Sequence, residues 1–416
     1  MKTLLFYCQH MPGFDHLIRS MAIAHGLTQD FKVYFVNGGE GVQEFPLLGG
    51  IETINLPAIG TQPNCRGLQL SDAVWDMDMV LDYRRDCLLK LCDRIRPDVV
   101  MVERFPFDHH CFSPELIPLL ERAKSYGAKI ICSVRDIVVS EGIAKPDQDR
   151  HEAIVCQLMN LYFDQLLIQG DPTFIPLEAS FSRMGELTCD IHYTGYVIPD
   201  VDREFSVKTD CEPPIIVASV GSGQFGHELL DCVAEASHFL EDKIPHHIQM
   251  FTGPFAPVEV YARLQTMASR CSNLTVQRYT PDLLSYLTRA DLSISMAGYN
   301  PTLNVLQTGV RAIQLPSRDN PDRAQRLRSD RLEKLAIVKT IEQADLEPIN
   351  LSLEMLDSLS HTPQPIYFCL QGVQITAARI KELVTEKTMM DCTEFYQSTS
   401  LDPKHMGYLQ HIREQN

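Results

Sequence analysis

Nothing in the 416-residue chain is apolar for the roughly 18 residues a membrane-spanning helix needs, so no transmembrane segment is expected. The apolar start, Thr3-Leu4-Leu5-Phe6-Tyr7, stops at Cys8-Gln9-His10, too short for the core of a signal peptide. A cytoplasmic location follows as the expectation, with at most peripheral membrane contact. Positive charge is scarce: 37 Lys and Arg stand against 54 Asp and Glu, a formal net charge of -17. Such a chain is repelled by a phosphate backbone, which argues against a nucleic-acid partner. No CxxC pair occurs among the 13 cysteines, and no Cys/His spacing suggests zinc. Scattered thiols in odd number fit a reducing compartment, most of them serving as small buried hydrophobes. Fixed-period repeats and low-complexity tracts are missing as well.

What is present is an alternation of short apolar runs with amphipathic stretches. Strands are predicted over 3–8, 32–36, 98–102, 129–133, 165–168 and 190–193, with helices such as 17–27 and 115–125 between them. A polar, proline-bearing segment, 199–214, reads as a linker. The pattern then restarts, with strands over 215–219, 247–252, 274–278, 292–295 and 312–315 and helices over 227–239, 257–269, 282–290 and 302–307. This predicts an α/β chain of two doubly wound, Rossmann-like domains, 1–198 and 215–385, facing a ligand cleft, with a tail over 386–416 of no assigned role.

Three glycine-bearing turns carry candidate chemistry. His10-Met11-Pro12-Gly13-Phe14-Asp15-His16 joins the first strand to the first helix. A helix start lowers a histidine's pKa and favours the neutral imidazole of a general base, while an Asp15 N-cap and a surface His16 remain the simpler account. Ser219-Val220-Gly221-Ser222-Gly223-Gln224-Phe225-Gly226 has G-x-G-x-x-G spacing between a strand and a helix, suited to a diphosphate. No acidic residue ends a second strand about 20 residues on, which disfavours NAD. Ser295-Met296-Ala297-Gly298-Tyr299-Asn300-Pro301-Thr302 repeats the strand–turn–helix context, and Gln325 sits in a later helix. Glu103-Arg104, Arg135-Asp136 and Gly170-Asp171 lie at strand ends, as acceptor contacts, acid/base groups, salt bridges or caps. Asp76-Met77-Asp78 matches a metal-binding DxD, but so do 147–149 and 200–202, so no catalytic metal is expected. The basic stretch 81–96 is interspersed with aspartates and reads as a solvated helix face.

These residues resemble a known family. Ser295–Gly298 with Thr302, Gly309, Ala312–Pro316 and Gln325 is similar to the donor-binding half of MurG-type glycosyltransferases. Tyr7-Cys8-Gln9-His10, residues 16–24, Arg96-Pro97-Asp98, Phe105-Pro106-Phe107, Ser133-Val134-Arg135-Asp136-Ile137, Gly170-Asp171-Pro172 and Tyr193-Thr194-Gly195-Tyr196-Val197 resemble predicted bacterial glycosyltransferases related to MurG, over about residues 1–385. The resemblance implies the GT-B fold and an inverting, metal-independent transfer of hexosyltransferase type. A UDP-sugar would be co-substrate, with no cofactor and an acceptor that is not identified. It implies that domain 215–385 holds the donor through Ser219, Gly221, Ser222, Gly223, Gln224, Ser295, Gly298, Tyr299, Asn300, Thr302, Asn304 and Gln325. Domain 1–198 would take the acceptor, with His10, Arg135, Asp136 and Asp171 on that side and His16, Asp15 and Glu103 as candidate bases. Two positions depart from the pattern: Asn304 replaces a glutamate that grips the ribose, and Phe14-Asp15 replaces small glycines. A UDP-sugar epimerase or hydrolase on the same fold, or a non-catalytic nucleotide-sugar-binding subunit, are the alternatives.

Overall fold

The computed structural model describes residues 1–10, 15–39, 49–60, 69–70, 76–138, 145–198, 213–317, 323–361 and 368–385. The chain divides into two compact units, Met1–Asp200 with Phe368–Asn416, and Val201–Tyr367.

The first unit contains β1 (Lys2–Cys8), α1 (Asp15–Leu27), β2 (Phe31–Asn37), β3 (Ile51–Asn55), the short β4 (Ile59–Gly60) and β5 (Gln69–Leu70), α2 (Met77–Ile95) and β6 (Val99–Glu103). It continues through α3 (Ser113–Ser125), β7 (Lys129–Arg135), α4 (Lys145–Tyr162), β8 (Gln165–Gln169) and β9 (Asp190–Tyr193). A parallel seven-stranded sheet runs β3-β2-β1-β6-β7-β8-β9, with β4 and β5 paired separately and antiparallel. Helices cover both faces of such a sheet, so its strands read as unbroken apolar runs. Successive β1 residues serve opposite cores: Leu5 and Tyr7 pack with Val100, Val102 and Ile130, and Leu4 and Phe6 with Val33, Phe35 and Met101. The rejected Asp76-Met77-Asp78 motif marks the start of α2, with Asp76 at the N-cap and Asp78 in the first turn, where the helix dipole favours acidic residues.

The second unit contains β10 (Ile215–Ser219), α5 (His227–Glu241), β11 (His247–Phe251), α6 (Val258–Ala268), β12 (Leu274–Gln277), α7 (Leu283–Arg289) and β13 (Leu292–Met296). After these come α8 (Tyr299–Thr308), β14 (Arg311–Leu315), α9 (Arg323–Lys334), β15 (Val338–Thr340) and α10 (Pro348–Ser360). Its sheet is also parallel, ordered β12-β11-β10-β13-β14-β15. In both sheets the strand order reverses at the first strand, between β1 and β6 and between β10 and β13. That switch point is where ligands settle beside open α/β sheets, at the carboxyl ends of the strands.

One boundary differs from expectation. The second domain was expected to reach residue 385, but Phe368 onward groups with the first unit. A last helix, α11 (Gly372–Thr385), buries Val373 and Ile380 in the core that holds Leu17, Met21 and Leu27 of α1. Lys381 adds an ion pair with Asp30 at 2.6 Å. Just before α11, the Tyr196 N–H donates to the Cys369 carbonyl at 2.7 Å and the Gly372 N–H to the Tyr196 carbonyl at 3.0 Å. Residues 199–212 of the expected linker and the tail 386–416 lie outside the described residues. Among the described residues, no helix is long and apolar enough to cross a membrane.

Candidate functional site

At the switch point of the second unit, β10 ends at Ser219 and the chain turns into α5. Gly221, Gly223 and Gly226 take φ values of 66°, 86° and 84°, which glycine adopts at little cost. Gly223 has a further constraint. A Cβ there would stand 2.3 Å from the Thr252 carbonyl oxygen and 2.9 Å from the Ala256 nitrogen, because the loop after β11 lies against it. The Phe255 N–H ties the two loops by donating to the Ser222 carbonyl at 3.0 Å. Gly223 is therefore a packing glycine, buried under a neighbouring loop, whereas Gly221, Ser222 and Gln224 are exposed.

The backbone N–H groups of Ser222, Gln224 and Phe225 donate to no acceptor among the described residues. Gly226, at the N-cap of α5, has no side chain with which to cap the first turn. Gly298 at the N-cap of α8 leaves that helix start in the same condition. Two helices thus begin uncapped on the two strands flanking the switch point. Unpaired N–H groups and the positive ends of helix dipoles together make an anion site.

The other expected donor residues separate into two groups. Gly298, Asn300 and Asn304 are half-buried and reach the edge. Ser295, Tyr299 and Thr302 are packed beneath it: Thr302 accepts from Gln314 Nε2 at 3.2 Å, and the Arg328 guanidinium lies 5.1 Å over the Tyr299 ring. Ser295 Oγ is buried without a hydrogen-bond partner among the described residues. The Gln325 side-chain oxygen accepts the Ser317 N–H at 3.1 Å, which fixes the segment after β14.

In the first unit Asp15 opens α1 and His16 stands in its first turn, but residues 11–14 and the side chains of Asp15 and His16 lie outside the described residues. His10 is buried against Gly39, where a Cβ would stand 2.5 Å from the imidazole. Glu103, the last residue of β6, is 2% exposed. Its carboxylate pairs with Arg19 of α1 and accepts from Ser20 Oγ at 2.5 Å and Cys8 Sγ at 3.1 Å. It fastens α1 to the sheet, the arrangement of a structural ion pair. A second buried pair, Arg84–Glu115 at 2.7 Å, gathers Tyr7, Gln9 and the Gly38 carbonyl beneath the same edge.

Asp136 and Asp171, expected on the acceptor side, are fully buried. Asp136 accepts the Tyr196 hydroxyl at 3.1 Å, and Asp171 accepts the Cys369 N–H at 3.3 Å and the Thr173 hydroxyl at 2.6 Å. These carboxylates anchor the segments by which the chain leaves and re-enters the unit. Arg135, at the end of β7, is half-buried.

The sequence reading missed His109. Arg104 and His109 both take left-handed backbone conformations, φ 66° and 63°, within the turn after β6. Arg104 pairs with Asp108, whose other oxygen accepts the His109 N–H at 2.6 Å. The His109 imidazole is buried, with no hydrogen-bond partner for Nδ1 among the described residues. Burial, opposed by the Asp108 charge, pushes its pKa down to about 4. The available signal was a histidine pair, His109-His110, a few residues beyond a charged strand end.

Residues 215–367 match the family model for the glycosyltransferase family 28 C-terminal domain. MurG from Acinetobacter baumannii aligns at 16% identity over 93% of this chain and 100% of that chain, with a TM-score of 0.56. A UDP-glucosyltransferase from Polygonum tinctorium capable of glucosylating indoxyl aligns at 12% identity over 93% and 99%, with a TM-score of 0.57. A UDP-GlcNAc 2-epimerase from Methanocaldococcus jannaschii aligns at 13% identity over 93% and 100%, with a TM-score of 0.56. No curated protein matches the chain in sequence. At these identities the structural likeness shows the fold, which is the α/β GT-B fold of MurG-like glycosyltransferases, as the sequence led one to expect.

Proposed function

Starting from a glycosyltransferase family 28 C-terminal domain on a GT-B fold, we propose that the chain moves a hexose from a UDP-sugar to a hydroxyl acceptor, with inversion and without a metal. The observation that carries this reading is the set of N–H groups at Ser222, Gln224 and Phe225 that have no acceptor among the described residues, beside the uncapped start of α5, on the β10 side of the switch point whose other side is Gly298. A diphosphate supplies the acceptor oxygens these donors lack. In a -17 chain it must be held by such local donors rather than by the overall field.

In the proposed reaction the acceptor oxygen attacks the anomeric carbon from the face opposite the diphosphate. The bond from that carbon to the phosphate oxygen breaks, and its electron pair leaves with UDP. Backbone donors and helix starts stabilise the departing charge. The acceptor proton goes to a base. Glu103 is held by Arg19 and Ser20, so His16 comes first and Asp15 second. Asn304, in place of a glutamate, would meet the ribose without charge assistance.

The test is turnover of UDP-sugars with candidate hydroxyl acceptors, following UDP release and the anomeric configuration of the product by NMR. The expectation is an inverted product, a rate that survives EDTA, and a loss of about two to four orders of magnitude in His16→Ala with donor affinity unchanged. A rate that collapses with chelator and returns with manganese overturns the metal-free mechanism. The epimerase among the structural neighbours supports a second reading. A UDP-sugar isomerised in the absence of any acceptor would favour it, and binding without any conversion would favour a non-catalytic subunit.

A further inference from the structure

The donor loop contains a side chain to which the sequence reading gave no role. His227 is the first residue of α5 and is half-buried. Its Nε2 lies 2.7 Å from the Gly223 carbonyl oxygen. A carbonyl can only accept, so Nε2 carries the proton and the ring donates.

That bond fixes the direction of the peptide between Gly223 and Gln224. In a trans peptide the C=O and the following N–H point to opposite sides. Holding the Gly223 carbonyl on the His227 side therefore sends the Gln224 N–H the other way. This N–H is one of the loop donors with no acceptor among the described residues. Packing under the neighbouring loop holds the position of Gly223, but the imidazole is the hydrogen-bond partner that this peptide has among the described residues. Glycine's freedom eases rotation of this peptide at the Gly223 end, and its N–H, that of Gln224, has no acceptor among the described residues. A reversed peptide would present a carbonyl oxygen, rather than an N–H, to an anionic ligand.

We propose that His227 is a positioning residue for the diphosphate of the donor: by holding the Gly223 carbonyl it keeps the Gln224 N–H aimed at the phosphate oxygens. This rests on the donor reading above and adds to it the residue that preorganises the loop. The ring makes its contribution through the loop backbone, so its effect should follow the diphosphate and not the nucleoside.

The test compares UDP and uridine binding by calorimetry in the full chain, for wild type, His227→Phe and His227→Gln. Phenylalanine keeps the ring and removes the donor. Glutamine restores an N–H that can reach the same carbonyl. His227→Phe should weaken UDP binding about three- to tenfold, the scale of one net hydrogen bond, and leave uridine affinity unchanged. His227→Gln should recover most of the loss. UDP affinity unchanged in His227→Phe, or lost in parallel with uridine affinity, overturns the proposal, as does glutamine failing to rescue a folded variant. If wild type binds neither UDP nor UDP-sugars, the donor reading itself fails and this proposal falls with it.

Discussion

Replacing Glu103 with alanine separates a structural carboxylate from a catalytic one. Glu103 is 2% exposed, and the Arg19 guanidinium paired with it is 3% exposed. The carboxylate also accepts from Ser20 and Cys8, so three groups on two elements converge on it. Removing one partner of a buried ion pair leaves the other charge in a low-dielectric site, a loss of about 3–5 kcal/mol. For a unit of this size that corresponds to a fall in Tm of about 6–20 °C. Urea unfolding followed by the fluorescence of Trp75, the single tryptophan, reads the change. The double variant Arg19→Met/Glu103→Leu should recover most of the stability, because an apolar pair of similar volume can replace a buried ion pair at little cost. A stability loss below about 1 kcal/mol in Glu103→Ala, together with a turnover loss of a hundredfold or more, would refute the structural assignment and return Glu103 to the candidate bases.

Gly223→Ala should destabilise the second unit before it touches ligand binding selectively, because its Cβ would sit 2.3 Å from the Thr252 oxygen at φ 86°; a melting temperature equal to wild type contradicts this. His109, with its pKa held at about 4 by burial, binds a proton less readily folded than unfolded. Its contribution to stability is therefore complete above about pH 6.5 and is lost as pH falls toward 4, by about 3 kcal/mol in all. Urea unfolding at pH 7 and pH 4.5 should show a larger drop in wild type than in His109→Phe, and equal drops would contradict the assignment.

The alternation of strands and helices was legible because parallel strands covered on both faces become apolar runs, as in Leu4 to Cys8, every one of them fully or almost fully buried. The elements that escaped are those without such a signal. β3 lies at the sheet edge, with Ile51, Thr53 and Ile54 half-buried and Glu52 and Asn55 exposed, and β15 is three residues long. α11 has an ordinary amphipathic sequence, and nothing local in it says that it packs on α1 rather than on the preceding unit. The same limit applies to the site. A glycine loop between a strand and a helix announces itself, but the reason for Gly223 is the Thr252 carbonyl on another loop, and the partner of Glu103 lies 84 positions away. Asp136 and Asp171 looked like acceptor contacts as strand-end carboxylates, and only the fold reveals Tyr196 and Cys369 as their partners.

The central claim, that the β10–α5 loop receives the donor diphosphate through its backbone, is tested most directly by the amide signals of that loop. In 1H–15N spectra of the full chain, UDP should shift the Ser222, Gln224 and Phe225 amides downfield as they gain acceptors, and uridine should leave them in place. UDP binding that leaves all three unmoved would contradict the account.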